Sequence, residues 1–484
     1  MDTNEPNVAS EKKDRNPVRF IAKIALFTRL LALIIQITHQ CIVDFDSSAC
    51  CMDQPEGRSR WLEFVFGGLT RWDSVYFLRI AKSGYEYEQF GAFFPLWPLT
   101  VRVVADTLLW PLSFSQATSQ YERLVLSAVV CNTAFFCGAA VLLHHLTVKV
   151  TGDARLALCS ALLFCVNPAM AFFSAAYTTS MFAFFSFAAM LLWRKGRTVS
   201  STVMMMVTSG TRSNGIISCG FVLFECGYRC LNLWRRPKTA HTMRAIRVQI
   251  AVAVLRTVCI CSPFIAFQLY MRRSFCHWFP YTYGDASLPQ SSAGGVSTTD
   301  PPLSPQPIIL PWCKSLLGLS YGYIQSTYWN VGFLRYFTVA QIPNFILASP
   351  MLIMPVAFSC TYVRRAWYSV SRLRMNEGRG LWSPCTFVFA VHWLAFTVLC
   401  FFTIHVQVVT RLMASATPVL YWYVADLLLA GHSAFILHPS GSVRYKGLDI
   451  KVPAQSKPHS TTLYYFLLYA YVGLVMHKSF YPWT

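Results

Sequence analysis

Acidic residues are scarce in this chain. Its 484 residues include 21 Asp and Glu against 41 Lys and Arg, and charged residues make up 13% of the total. A soluble globular protein carries about 25% charged residues, so that class is excluded. Three further absences narrow the reading. The chain has no internal repeat, which removes the matched halves typical of many transporters. It has no Asn-x-Ser/Thr glycan acceptor. No His, Cys or Asp cluster has metal-ligand spacing, so neither a metal nor another cofactor is expected.

What is present is apolar: 55% of the residues are hydrophobic, gathered in long runs. A spanning helix needs about 20 mainly apolar residues. Candidate segments cover roughly 20–37, 124–146, 156–173, 175–192, 199–207, 216–233, 250–269, 345–362, 387–404, 412–430 and 463–475. Runs this long are helices, not barrel strands. The expectation is an all-α polytopic membrane protein of about eleven transmembrane helices. The 20–37 run exceeds a signal-peptide core, and the sequence near Thr38 and His39 lacks a small-x-small cleavage site. It is read as a retained anchor.

The net charge of +20 does not imply nucleic acid, because the basic residues sit in short loops. With the basic N-terminus in the cytosol, strict alternation puts nearly every cluster on that side. They are Lys149 and Arg155; Arg194, Lys195 and Arg197; Arg235 to Arg247; Arg364 to Arg379; and Arg444 to Lys457. The chain then reads as a single membrane domain over 1–484, with a cytosolic tail at 1–19. Two long loops, 38–123 and 270–344, face the other side. The middle of the second, 287–307, is rich in Ser, Pro and Gly and is expected to be mobile, while its aromatic end, 326–344, is expected to be ordered. Most of the 17 cysteines read as buried thiols, as at Cys159, Cys165 and Cys400. Cys50, Cys51, Cys276 and Cys313 fall in the non-cytosolic loops, where a disulfide can form.

Asp73 stands out. It lies in Arg71-Trp72-Asp73-Ser74-Val75-Tyr76-Phe77-Leu78-Arg79-Ile80-Ala81, where Val75, Phe77, Leu78 and Ile80 give an apolar stripe. The spacing of Trp72, Tyr76 and Arg79 predicts an amphipathic interfacial helix with the acid near its start. Asp73 is either the helix N-cap or a reactive carboxylate at the membrane boundary. Phe93-Phe94-Pro95-Leu96-Trp97-Pro98 reads as an aromatic re-entry into the headgroup zone.

The 71–81 motif, with Gly84-Tyr85-Glu86-Tyr87-Glu88-Gln89 and Ala92-Phe93-Phe94-Pro95-Leu96, closely resembles the signature of the PIG-V family of GPI mannosyltransferases. Three later stretches agree: Thr211-Arg212-Ser213-Asn214-Gly215; Tyr328 to Phe337 with Gln341-Ile342-Pro343-Asn344-Phe345; and His405-Val406-Gln407-Val408-Val409-Thr410-Arg411. The chain departs from the pattern at Thr179, where family members often carry an acid, so the resemblance assigns no second acid here.

The resemblance implies a GT-C type bundle in the endoplasmic reticulum membrane with a lumenal active site. It implies transfer of the second mannose, in α1,6 linkage, from dolichyl-phosphate mannose to the GPI precursor glycolipid. The partners are then those two lipids and the bilayer, with room for a small membrane subunit. A β-linked donor and an α product mean inversion, which needs one base. Asp73 fits that part, with Trp72 stacking on a sugar or on headgroups. The leaving phosphate needs cations and donors. Arg79, Arg212, Asn214, Arg335, Gln341, His405 and Arg411 are the candidates, each Arg being either a phosphate ligand or a snorkelling side chain. The rival functions are a lipid transporter or scramblase and a non-catalytic subunit. The near absence of ionisable residues inside the predicted helices argues against a transport pathway.

Overall fold

The computed structural model describes residues 17–39, 42, 44–45, 60–114, 118–276, 310–314, 319–371, 380–437, 442–445, 448–451 and 458–481. Cys50, Cys51 and the 287–307 stretch lie outside them. The described chain is helical apart from a short antiparallel hairpin, β1 (Ser442–Tyr445) against β2 (Leu448–Lys451).

The anchor α1 (Pro17–Thr38) is followed by α2 (Arg60–Phe66), α3 (Asp73–Ser83) and α4 (Leu96–Asp106). Next comes the central post, α5 (Gln120–Thr151), which packs against α1, α4, α6 (Ala154–Cys165) and α8 (Thr179–Arg194). Its ends are well specified. Ser119 and Glu122 cap each other reciprocally at the start, and Gly152 (φ 72°) ends it in a left-handed turn. Between α6 and α8 lies the single turn α7 (Met170–Ser174). The bundle continues through α9 (Thr198–Thr211), α10 (Cys219–Trp234), α11 (Ala240–Cys276), α12 (Ser320–Tyr328), α13 (Ile342–Ser371) and α14 (Phe387–Thr403). It closes with α15 (Val409–Ala416), α16 (Pro418–Leu437) and α17 (Pro458–Lys478).

Each of the eleven expected segments falls on helix, yet length divides them. Six helical stretches among the described residues are long and apolar enough to cross a membrane, or seven if the pair 406–416 and 418–430, bent by 82°, counts as one span. The expected continuous run at 156–173 is two pieces. The break follows from Asn167-Pro168: the Asn167 amide donates to the Phe164 carbonyl and accepts from the Ala169 N–H, replacing helix bonds that Pro168 forbids.

Two other expectations are corrected. Phe93, Phe94 and Trp97 are not an interfacial belt. They are buried inside the protein, and the Trp97 indole donates to the Ala176 carbonyl at 3.2 Å. Nor are the spanning helices nearly free of charge. Arg29 in α1 is buried, stacks on Phe136 and donates to Ser174 and to carbonyls at Met170 and Cys165, near the ends of α6 and α7. A cation there offsets exposed carbonyls and the negative helix end. In the same way Glu225 pairs with Arg256 at 2.8 Å.

The amphipathic helix at 73–83 is present as α3, and it buries Phe77, Leu78, Ile80 and Ala81. A disulfide joins Cys276 to Cys313. Next to it, the Trp312 indole donates to Glu88 at 3.0 Å, and the Tyr328 hydroxyl donates to the same carboxylate. Glu88 thereby ties the two long loops together.

Candidate active site

Three interruptions of regular helix meet the start of α3. The chain is extended between α7 and α8 at Ala175. It is extended again at Arg212 (φ −152°, ψ 149°), between α9 and a 3-10 turn over Ser213–Ser218. The third break lies between α14 and α15, where the chain is extended at Ile404 and then makes a 3-10 turn over Val406–Val408. Irregular backbone at membrane depth persists only where it is buried in protein or lines a cavity. Here it lines a cavity of about 1020 Å³ whose wall includes Asp73, Tyr177, Thr178, Arg212, Asn214 and Arg411.

Asp73 opens α3, where the helix dipole favours a carboxylate. Its backbone N–H donates to the Tyr177 hydroxyl at 3.1 Å. Arg411 donates to Oδ2 at 2.6 Å, while the Asp73 side chain keeps 30% exposure. The acid is therefore oriented by a cation yet open to the cavity, and the N-cap reading is corrected: Trp72 holds the cap position, and no side chain caps the helix. Arg411 is itself held over the Phe172 and Tyr177 rings, at 5.2 and 5.4 Å.

Arg212 has a different environment. It donates to the hydroxyls of Thr178, Thr179 (2.7 Å) and Ser415 (3.2 Å), and its guanidinium lies 5.4 Å from the Phe182 ring centre. Among the described residues no carboxylate pairs with it directly. Burial, followed by the Arg411 charge, lowers its pKa, with Asp73 opposing. A buried cation bonded only to neutral groups favours an incoming anion. Thr179, singled out in the sequence as a departure from the resembled pattern, is one of its three partners.

Gly215 lets this arrangement close. A Cβ there would lie 2.3 Å from the Thr208 carbonyl carbon. The side chain of Asn214 reaches the cavity, and its buried Nδ2 has no partner among the described residues. The far wall comes from the second loop. Trp329 and Phe93 meet edge to face, and Tyr321 shares a 2.7 Å hydrogen bond with Ser213. His405 stacks on Tyr336 at 4.5 Å, and burial lowers its pKa against the pull of backbone at Asn330 and Trp329, which favours the uncharged ring. An apolar side is formed by Phe396, Leu399, Cys400 and Leu412.

Of the nine residues singled out in the sequence, six line this cavity: Asp73, Arg212, Asn214, Arg335, His405 and Arg411. The other three lie elsewhere. Trp72 packs on Phe480, Arg79 pairs with Glu86, and Gln341 accepts from Asn344. Sequence reasoning missed Tyr177, Thr178, Tyr321 and Trp329. Tyr177 and Thr178 sit in a stretch whose hydropathy reads as unbroken helix, and only Asn167-Pro168 upstream signals the break. Among the described residues no group of three His, Cys, Asp or Glu is placed to hold a metal ion.

The chain is similar to known proteins along its length. GPI alpha-1,6-mannosyltransferase 2 of Mus musculus is 35% identical, the match covering 96% of this chain and 98% of that protein. The Homo sapiens protein of the same name is 32% identical over the same shares. Archaeal oligosaccharyltransferase AglB from Archaeoglobus fulgidus superposes with a TM-score of 0.45 at 11% identity, over 95% of this chain and 56% of that one. The family model for Mannosyltransferase (PIG-V) matches residues 18–484, and the chain belongs to that family.

Proposed function

We propose that this chain transfers the second mannose of the GPI anchor, in α1,6 linkage, from dolichyl-phosphate mannose to the GPI precursor at the lumenal face of the endoplasmic reticulum, on a GT-C type scaffold. The observation that carries the reading is Arg212, a buried cation without a direct carboxylate partner, in the same cavity wall as the Asp73–Arg411 pair. Such a wall suits a substrate that brings a phosphate and a hydroxyl together.

In this mechanism the sugar-phosphate lies between Arg212 and Arg411, whose forked donors match phosphate oxygens. The isoprenoid tail follows the apolar side at Phe396 and Leu399. Asp73 accepts the proton of the acceptor hydroxyl as that oxygen attacks the anomeric carbon. The bond from that carbon to the phosphate oxygen breaks on the opposite face, and dolichyl phosphate leaves as an anion. The two arginines stabilise its growing charge, so no protein acid is needed. Asn214, Arg335 and His405 complete the wall.

The lumenal orientation is supported by helix direction. Asp73, Arg212 and Arg411 gather where α6 and α9 end and α8 and α10 begin. The basic turns after α5, α8 and α10 lie at the opposite helix ends, as the positive-inside bias expects of cytosolic loops.

Microsomes supplying dolichyl-phosphate mannose and an acceptor with one mannose test the reading. Asp73→Asn keeps the shape and removes the base, and its kcat is expected to fall on the order of 10²- to 10⁴-fold. Full transfer by that variant, at normal protein level, would sink the base assignment. Absence of transfer by the unmutated chain would sink the enzyme itself.

A further inference from the structure

The mechanism leaves one buried cluster unused: the residues at the end of α17 and just beyond it, which lie behind the catalytic turn. His477, Lys478, Ser479 and Phe480 are all buried. The Phe480 ring packs against both residues that precede the acid. The Arg71 guanidinium sits 4.6 Å over its face, and the Trp72 ring centre lies 5.8 Å away.

Trp72 has φ 57°, in the region that L side chains rarely adopt. Such a conformation persists only where its surroundings over-determine it, and it clusters at functional sites. Here it has a definite effect. The turn at Trp72 sets where α3 begins, and so where the Asp73 carboxylate points.

The cluster is fixed from several directions. The Phe45 N–H donates to the Ser479 carbonyl at 2.9 Å, and Phe45 packs on Tyr481. The Lys478 ammonium donates to the His39 and Ile42 carbonyls. Its stem fills the space that Gly68 leaves, since a Cβ there would lie 2.9 Å from Lys478 Cγ. His477 meets Tyr177 edge to face at 5.8 Å, and Tyr177 accepts from the Asp73 N–H. One short segment thus reaches the acid by two routes, through Arg71 and Trp72 and through Tyr177.

We propose that Phe480 is a positioning residue for mannose transfer: its ring braces the Arg71–Trp72 turn and thereby aims Asp73 at the acceptor hydroxyl. The assignment of the acid rests on the function proposed above; the brace itself does not. Misplacing a reacting group by about 1 Å costs on the order of 10²-fold in rate.

The test compares full-length Phe480→Ala, Phe480→Leu and Phe480→Tyr with the unmutated chain. Two readouts are taken: transfer kinetics, and hydrogen exchange of backbone amides across 68–77. Phe480→Ala and Phe480→Leu are expected to lower kcat roughly 10- to 100-fold with KM for both lipids little changed. Exchange across 68–77 is expected to speed up in both, with protection of α5 preserved. Phe480→Tyr keeps the ring and is expected to restore both readouts. Leu serves as the second variant if Ala lowers protein yield. Unchanged exchange at 68–77 in Phe480→Leu overturns the brace whatever the activity. So does a loss of transfer explained wholly by less protein, with kcat per molecule intact. Transfer by the unmutated chain is scored separately and decides only the enzyme reading.

Discussion

Arg212 donates to Thr178, Thr179 and Ser415, and none of these carries a charge. A lysine in its place keeps one positive charge but not the planar fork, so it cannot satisfy three hydroxyls and a phosphate together. Arg212→Lys is expected to lower kcat/KM for the donor roughly 10- to 100-fold, while the acceptor KM stays near its original value; steady-state transfer at varied donor checks this. The same residue shows what was legible in the sequence. A lone Arg-Ser-Asn-Gly between apolar runs signals a charge that needs a reason, and the cavity supplies it. Arg79 sent a false signal, because its neighbour seven residues on, Glu86, neutralises it locally. Trp72 was half legible. It matters to the acid, but through the backbone turn it makes, not through stacking in the cavity. Hydropathy and spacing do not encode a positive φ at tryptophan.

Hydropathy located the helices and hid their breaks. Runs at 156–173 and 175–192 average as continuous apolar segments, since Tyr177, Thr178 and Thr179 are no more polar than a membrane helix tolerates. What divides the first is local hydrogen bonding at Asn167, and the second starts with extended backbone at Ala175; both are matters of geometry. The break after α9 depends on close backbone approach at Gly215. A methyl group there meets main chain, which cannot yield as a side chain would. Gly215→Ala is therefore expected to destabilise the fold by about 1–3 kcal/mol, the usual penalty of overpacking, and to lower transfer with it. A drop in the thermal midpoint of the detergent-purified protein checks this, and an unchanged midpoint would show that the break is not constrained there. The Phe93–Trp97 aromatics misled for a similar reason. In composition, an aromatic belt at the headgroups and a buried aromatic wall look the same; only the second loop packing over them separates the two.

The whole molecule has a polarity that the alternation of basic loops already suggested. The end that holds the cavity and the basic end lie at opposite helix termini. The chain lacks any natural Asn-x-Ser/Thr acceptor, so an introduced one reports topology without background. An acceptor placed at 108–110, in the exposed turn after α4, is expected to be glycosylated, and one placed at 195–197 is not; a mobility shift sensitive to endoglycosidase reads both. The reverse pattern would put the acid on the cytosolic side and end the lumenal reading. The disulfide has a separate implication for how this chain holds together. Cys276 and Cys313 have Cα atoms 5.6 Å apart, so the end of α11 and the turn at Pro311–Lys314 are fastened at one spot. Trp312, beside the crosslink, reaches across to Glu88 of the first loop. A chain nicked by a protease between the two cysteines therefore stays one covalent piece until it is reduced.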